Sequence, residues 1–469
     1  MLARKIAYNV FANAIMKVLA TMLALISIGF LTRYLGQAGF GDYATVLAFF
    51  AFFNALADLG LYATATREIS RPQANEKEII SNVFTLRLVV SILILLITPF
   101  IIYFFPYSYQ IKLGIFTVAI AFIFSSSYMV LNGIFQKRLI MDRVALIEFL
   151  GKIVQVSFII LVIWKKLSFN WIIFSLLLFS FFNFSLITFL ARRYVKFNLK
   201  INWQYWKKFL KMSLPMGGAT LITFFYFKTD TILLSLLKGS QAVGVYNGAY
   251  KIVENITFFP GMIMGLVLPL ISRYIFTKKE KFKQISDKTF KVFFLLVIPL
   301  VIGSWFLASN IVLIIGGKEF LSSAPILRIL IFSLAFIFFG NLFNNILLAG
   351  NMQKKLMQVL FFCAFFNVFA NILFIPLYSY WAAAVISLIT EAMVVFLTAY
   401  LTKKYLNYIP SLNNLSKFIL SGAIMAFFLY LSPYHNFIFL LIGSSILYFL
   451  MLYITQAITK EEILSIFQK

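Results

Sequence analysis

Ten ionisable side chains stand inside long apolar runs of this sequence. Five are acids, Asp58, Glu148, Asp230, Glu254 and Glu391; five are bases, Lys17, Arg87, Lys152, Lys228 and Lys251. A charge at the centre of a bilayer costs at least ~2.5–3.5 kcal/mol, so each one requires a partner, water or a protein interior. Lys and Arg can neutralise a phosphate. Carboxylates can take up H+ or Na+ and so drive a carrier between inward-open and outward-open states. Spacing predicts partners. Glu148 and Lys152 are i,i+4, and Lys251 and Glu254 are i,i+3, so each pair shares a helix face. Lys228 and Asp230 are i,i+2 and point apart, so each needs a partner on another helix. Taken singly, these residues are ion pairs between helices or, for Arg87 and Lys17, snorkelling side chains. Ten of them spread over both halves predict a charged, water-filled cavity between two lobes. At ~1.5 Å per residue, Asp58, Glu254 and Glu391 fall ~15–22 Å from the outer ends of their helices, near mid-membrane.

The elements that must position these charges are membrane helices. The chain has 469 residues, 62% hydrophobic and 12% charged, with mean hydropathy +0.95. A soluble domain is nearer a quarter charged. Apolar runs of about 20 residues, each long enough to span ~30 Å of hydrocarbon, recur throughout. They predict fourteen helices: 10–33, 41–63, 79–104, 112–135, 144–164, 169–191, 209–236, 244–270, 290–315, 325–349, 355–375, 380–401, 415–432 and 436–457. The basic N-terminal start reads as the first spanning helix, because its apolar stretch outruns a signal peptide and lacks a convincing cleavage site. The longest segments between helices are 192–208 and 271–289, so no extramembrane domain is expected.

The net charge of +26 is a topology signal and not a nucleic-acid footprint. Of the 41 basic residues, 29 fall in segments on the side of the N-terminus, 7 on the opposite side and 5 within helices. That asymmetry places both termini in the cytoplasm, with anionic headgroups as partner. One cysteine, Cys363, and one histidine, His435, leave no basis for a metal site, and a Ser/His/Asp triad or a cofactor is not expected.

A second pattern invites phosphate chemistry. "G-Q-A-G-F-G-D-Y" from Gly36 to Tyr43 and "G-S-Q-A-V-G-V-Y" from Gly239 to Tyr246 both read G-x4-G-x-Y, at an offset of 203. A phosphate loop of this spacing needs Lys and Ser or Thr after the second glycine, between a strand and a helix. Asp42 and Val245 follow here, and the flanks are apolar helices. The repeat therefore marks two outward-facing turns, after helices 1 and 7, with Gly for positive φ and Tyr as an interfacial anchor. Six helices separate the copies, which predicts two parallel, pseudo-symmetric six-helix lobes. The lobes are 1–200 and 201–402, and 403–469 holds two extra helices.

The stretches 30–43 ("F-L-T-R-Y-L-G-Q-A-G-F-G-D-Y"), 57–70 ("A-D-L-G-L-Y-A-T-A-T-R-E-I-S"), 228–246 ("K-T-D-T-I-L-L-S-L-L-K-G-S-Q-A-V-G-V-Y") and 375–391 ("I-P-L-Y-S-Y-W-A-A-A-V-I-S-L-I-T-E") resemble the polysaccharide-export branch of the multidrug/oligosaccharidyl-lipid/polysaccharide exporters. The resemblance covers nearly the whole chain and is to the O-antigen repeat-unit (Wzx-type) flippases. It implies a fourteen-helix, all-α integral membrane fold with two lobes in a V. It implies that an undecaprenyl-diphosphate-linked oligosaccharide passes from the cytoplasmic to the periplasmic leaflet of a bacterial inner membrane, coupled to H+ or Na+. A polysaccharide polymerase and a chain-length regulator are the implied protein partners. Asp58, Asp230 and Glu391 fall in the matched stretches; Lys17, Lys152 and Lys251 rest on depth and charge. A lipid II flippase, a drug exporter and an O-antigen polymerase or ligase are the alternatives. The first calls for an Arg-rich N-lobe, the second for twelve helices, and the enzymes for a large outward loop.

Overall fold

A computed structural model describes residues 2–413, 415–432 and 436–457, with side chains left out for residues 2–14 and for 215, 216, 219, 220, 223 and 226. The regular structure of the described residues is helical, with fourteen α-helices: α1 (Leu2–Asp58), α2 (Leu61–Ile69), α3 (Glu76–Tyr103), α4 (Tyr109–Lys137), α5 (Met141–Trp164), α6 (Phe169–Arg192), α7 (Trp203–Leu237), α8 (Gly239–Ile256), α9 (Phe258–Tyr274), α10 (Lys279–Gly316), α11 (Ala324–Ala349), α12 (Gln353–Leu406), α13 (Leu415–Leu431) and α14 (Phe437–Ile454).

These helices do not map one to one onto membrane passes. Ten elements are long and apolar enough to cross a bilayer. Two of them, in α1 and α12, are far longer than the ~20 residues a pass needs. Each contains a break, at Gly36 (φ 65°) and at Ser379 (φ 52°), and so holds two spans. With α7 and the 17-residue α13 counted as spans, the described residues hold fourteen passes. The chain is an all-α, multi-pass membrane protein.

Two predicted helices are interrupted. The helix expected over 41–63 starts directly after Gly36, stops at Asp58 and resumes as α2 after Leu59 (φ 39°) and Gly60 (φ 72°). A left-handed Leu is a strained conformation for a side chain with a Cβ. Tertiary contact holds it there: a Cβ on Gly217 of α7 would sit 2.5 Å from the Leu59 Cα, so α7 packs backbone to backbone on the break. The helix expected over 244–270 is split between α8 and α9 at Thr257. Pro260 has no N–H for the Ile256 carbonyl, which is the local reason for that interruption.

By packing, the chain divides into two compact units, Met1–Asn247 with Asn371–Ser379, and Gly248–Ala370 with Tyr380–Lys469. The repeat leads one to expect lobes at 1–200 and 201–402; the packing division differs and places α7, with the start of α8, in the first unit. In that unit α4 lies against α1, α2, α3 and α6, and the core runs through Ile80, Phe84, Leu131, Phe135, Ile187 and Trp206. Asn75 caps α3 by accepting from the Glu78 N–H (3.1 Å), and Glu76 joins Lys137 (2.6 Å) and Arg138 (2.8 Å) at the end of α4. In the second unit α10, α13 and α14 enclose Met425, Leu452 and Tyr448, whose hydroxyl donates to the Leu295 carbonyl (3.3 Å).

The repeated motif has a different tertiary role from the one its spacing suggests. Gly36 and Gly239 (φ 78°) do take the left-handed turn. The second glycines meet the opposite copy. A Cβ on Gly41 would lie 1.8 Å from the Ser240 carbonyl oxygen, and one on Gly244 would lie 1.9 Å from that of Gln37. Gln37 and Ser240 are themselves one repeat apart, so the two turns clasp each other reciprocally. Tyr43 and Tyr246 are buried, which corrects their reading as interfacial anchors.

Candidate functional site

The charges of the first unit gather in three places. At the α1–α2 break, Asp58 is the last residue before the strained turn and accepts from the Tyr62 N–H (3.4 Å). The Arg87 guanidinium of α3 reaches across to Asp58 and also donates to the Ser126 carbonyl of α4 (2.9 Å). Arg87 is 1% exposed. It is a buried ion-pair partner, with no open surface at which to meet a ligand.

The second place lies along α5. Glu148 is countered by the Lys17 ammonium of α1 and feels Tyr62 and Tyr128 nearby. Tyr62 bonds Gln136 through its hydroxyl (2.8 Å). Lys152, expected to face Glu148, donates to Gln155 (2.9 Å) and lies 5.9 Å from the Phe179 ring centroid. Tertiary packing brings Glu148 a cation from a second helix, α1.

The third place joins the second copy of the motif to α7. The Tyr246 hydroxyl donates to the Asp230 carboxylate, and the Thr231 N–H donates to the same group (2.7 Å). Asn247 adds a bond to the Thr231 hydroxyl (3.3 Å). The partner that the i,i+2 spacing demanded for Asp230 is thus a motif tyrosine, and the acid is buried. Lys228, two residues earlier on α7, is half-buried.

In the second unit, Lys251 and Glu254 form the i,i+3 pair at 2.7 Å, three residues before the α8–α9 interruption. Glu391 is buried in the second span of α12, close enough to Cys363 of the first span for its charge to act on the thiol. Asn367 donates to Thr390 between the same two spans (3.2 Å). The helix that follows each copy of the repeated motif therefore breaks, with an acid one to three residues before the break. Interrupted spanning helices free backbone groups and mark ligand sites in membrane carriers.

Sequence reasoning from ionisable residues missed Tyr62, Tyr128, Gln136, Asn367 and Thr390, because uncharged polar side chains carry no penalty large enough to stand out. Tyr246 was visible as a motif residue, but its partner was not.

The profile of the family described as "Polysaccharide biosynthesis protein" matches residues 6–275, more than half of the chain. The chain belongs to that family. A second profile, MatE, matches residues 215–373. This polysaccharide biosynthesis family member is 25% identical over 230 residues to the capsular polysaccharide biosynthesis protein CapF of Staphylococcus aureus, covering 48% of this chain and 57% of that one. It is 30% identical over 159 residues to an uncharacterized membrane protein of Methanocaldococcus jannaschii, covering 33% and 31%. The alignments thus span less than two thirds of these relatives. In fold, it is similar to the lipid II flippase MurJ in an inward closed conformation, with TM-score 0.77 and 16% identity over 94% of this chain and 97% of the other. It is also similar to an inward-facing multidrug resistance MATE transporter of the MOP superfamily, with TM-score 0.67 and 15% identity over 85% and 99%.

Proposed function

We propose that this family member flips an undecaprenyl-diphosphate-linked oligosaccharide, an O-antigen-type repeat unit, from the cytoplasmic to the periplasmic leaflet of a bacterial inner membrane. It acts as a carrier by alternating access and makes or breaks no covalent bond. The observation that carries this reading is the set of charged side chains held inside spanning helices of a polysaccharide biosynthesis family chain. Lys17, Lys152, Lys228 and Lys251 attract the diphosphate. Asp58, Glu148, Asp230, Glu254 and Glu391 supply the coupling acids, and uptake of H+ or Na+ by them drives the cycle. Arg87, occupied by Asp58 and the Ser126 carbonyl, serves by holding the α1–α2 break and not by touching substrate. A lipid II substrate is disfavoured by that same occupancy, because it removes the Arg that the first lobe would contribute. Both termini face the cytoplasm in this reading, and a polymerase and a chain-length regulator receive the product.

The test is export in a host deleted for its own flippase. Asp230→Asn and Lys251→Ala are expected to abolish surface polysaccharide, scored by gel and antibody, at unchanged protein level in the membrane. Normal export by both variants removes the assignment of these charges.

A further inference from the structure

We propose that the segment joining α6 to α7 is a leaflet-inserted anchor that binds an anionic phospholipid headgroup. This inference does not depend on what is transported. Residues 193–202 are not helical, yet they are not a loose linker. The Asn198 N–H donates to the Ser81 hydroxyl (3.1 Å) and the Lys200 N–H to the Thr85 hydroxyl (2.9 Å). Ser81 and Thr85 are one turn apart on α3, so the segment runs along that helix as a strap. Buried Phe197 packs on Phe84, and the Trp206 indole N–H donates to the Asn82 carbonyl (3.1 Å).

Large apolar side chains near the end of the strap are open. Leu199, Ile201 and Trp203 are 68%, 75% and 74% exposed. Leu199 and Ile201 belong to no spanning segment and Trp203 only opens α7, so water or the membrane interface must cover them. Charge decides between the two. From Arg192 to Lys211 the sequence has seven basic residues and no acidic one. Exposed aliphatic and indole side chains interleaved with lysines are the chemistry of an interfacial anchor on an anionic leaflet.

Between the strap and the start of α3 lies a cleft of about 350 Å³. Its walls include Lys77, Lys200, Asn75, Asn198, Ser81 and Glu78. The two ammonium groups suit a phosphodiester, and the amides and hydroxyl suit the alcohols of a phosphoglycerol. Glu78 pairs with Lys200 (3.0 Å) and holds that ammonium at the cleft. Apolar Leu199 is part of the same wall, so acyl chains and headgroup meet the strap together.

Two measurements on the full chain test this. Cys363 is the chain's single cysteine and is buried. In a Cys363→Ala background, Leu199→Cys or Ile201→Cys is labelled with an environment-sensitive fluorophore and placed in vesicles of phosphatidylcholine with or without phosphatidylglycerol. Quenching by phospholipids brominated near the glycerol end should exceed quenching by aqueous iodide several-fold. The emission should shift further to the blue with phosphatidylglycerol, and salt should reverse that increment. Dominant iodide quenching, or identical spectra in the two vesicles, overturns the proposal. Independently, Lys77→Gln with Lys200→Gln should lower co-purified phosphatidylglycerol, counted by native mass spectrometry, at least threefold. Unchanged retention rejects the cleft as the headgroup seat. Neither outcome alters the export assay with Asp230 and Lys251 variants, so the two readings fail separately.

Discussion

Replacing Arg87 with leucine is expected to destabilise the first unit by about 3–5 kcal/mol, the usual cost of removing one partner of a buried ion pair. Arg87 is fully enclosed, and its guanidinium holds both the Asp58 carboxylate and the Ser126 carbonyl. Without it, a half-buried carboxylate loses its cation beside a backbone break whose Leu59 already sits at φ 39°. The same reasoning predicts a rescue. Asp58→Asn combined with Arg87→Leu removes both charges and should recover most of the loss, because the large term is the unpaired charge and not the missing attraction. Thermal unfolding of purified protein in detergent, with the double-mutant cycle completed, measures this. A single Arg87→Leu variant that melts with the wild type, or a double variant no better than the single one, rejects the ion pair as the element that holds the break.

The second large effect is expected at the paired turns. Gly41→Ala places a methyl group 1.8 Å from the Ser240 carbonyl oxygen, and Gly244→Ala places one 1.9 Å from that of Gln37. Both obstacles are backbone, so no side chain can rotate out of the way, and the turns must move apart by about 1 Å or more. Overpacking typically costs about 1–3 kcal/mol, and a backbone obstacle puts these variants at the upper end or above. Gly218→Ala is the control. A Cβ there meets nothing within 4 Å among the described residues, and α7 should gain up to about 1 kcal/mol of helix propensity from it. Opposite signs at Gly41 and Gly218 are therefore expected in the same melting assay. A disulfide between cysteines placed at Gln37 and Gln241, whose amides meet at 3.4 Å, reads the separation directly in a Cys363→Ala background. It should form more slowly when Gly41 or Gly244 is alanine. Equal rates and equal melting would sink the close contact.

Much of this protein was legible in its residues, for identifiable reasons. Spanning helices need about 20 apolar residues, so their number and approximate placement follow from hydropathy alone. The charge asymmetry carried an expectation of topology. The positive φ at Gly36 and Gly239 followed from the turn that the repeated motif called for. The pair Lys251–Glu254 was legible because both ends lie on one helix, where i,i+3 spacing is a distance.

The rest depended on which helices become neighbours, and no local spacing carries that information. Hydropathy counts the Asp58–Leu59–Gly60 stretch as one more turn of helix; the packing of α7 at Gly217 and the reach of Arg87 to Asp58 hold the backbone out of it. Arg87 and Asp58 are 29 residues apart, Tyr246 and Asp230 are 16 apart, and Lys17 acts on Glu148 from α1, which packs against α5. The second glycine of each motif copy is informative only once the other copy is seen against it. Sequence by itself therefore determined that these charges lie within membrane helices, because burial in lipid depends on composition along the chain. Tertiary structure alone decided what each charge faces, because a buried charge takes its partner from whichever helix packs beside it.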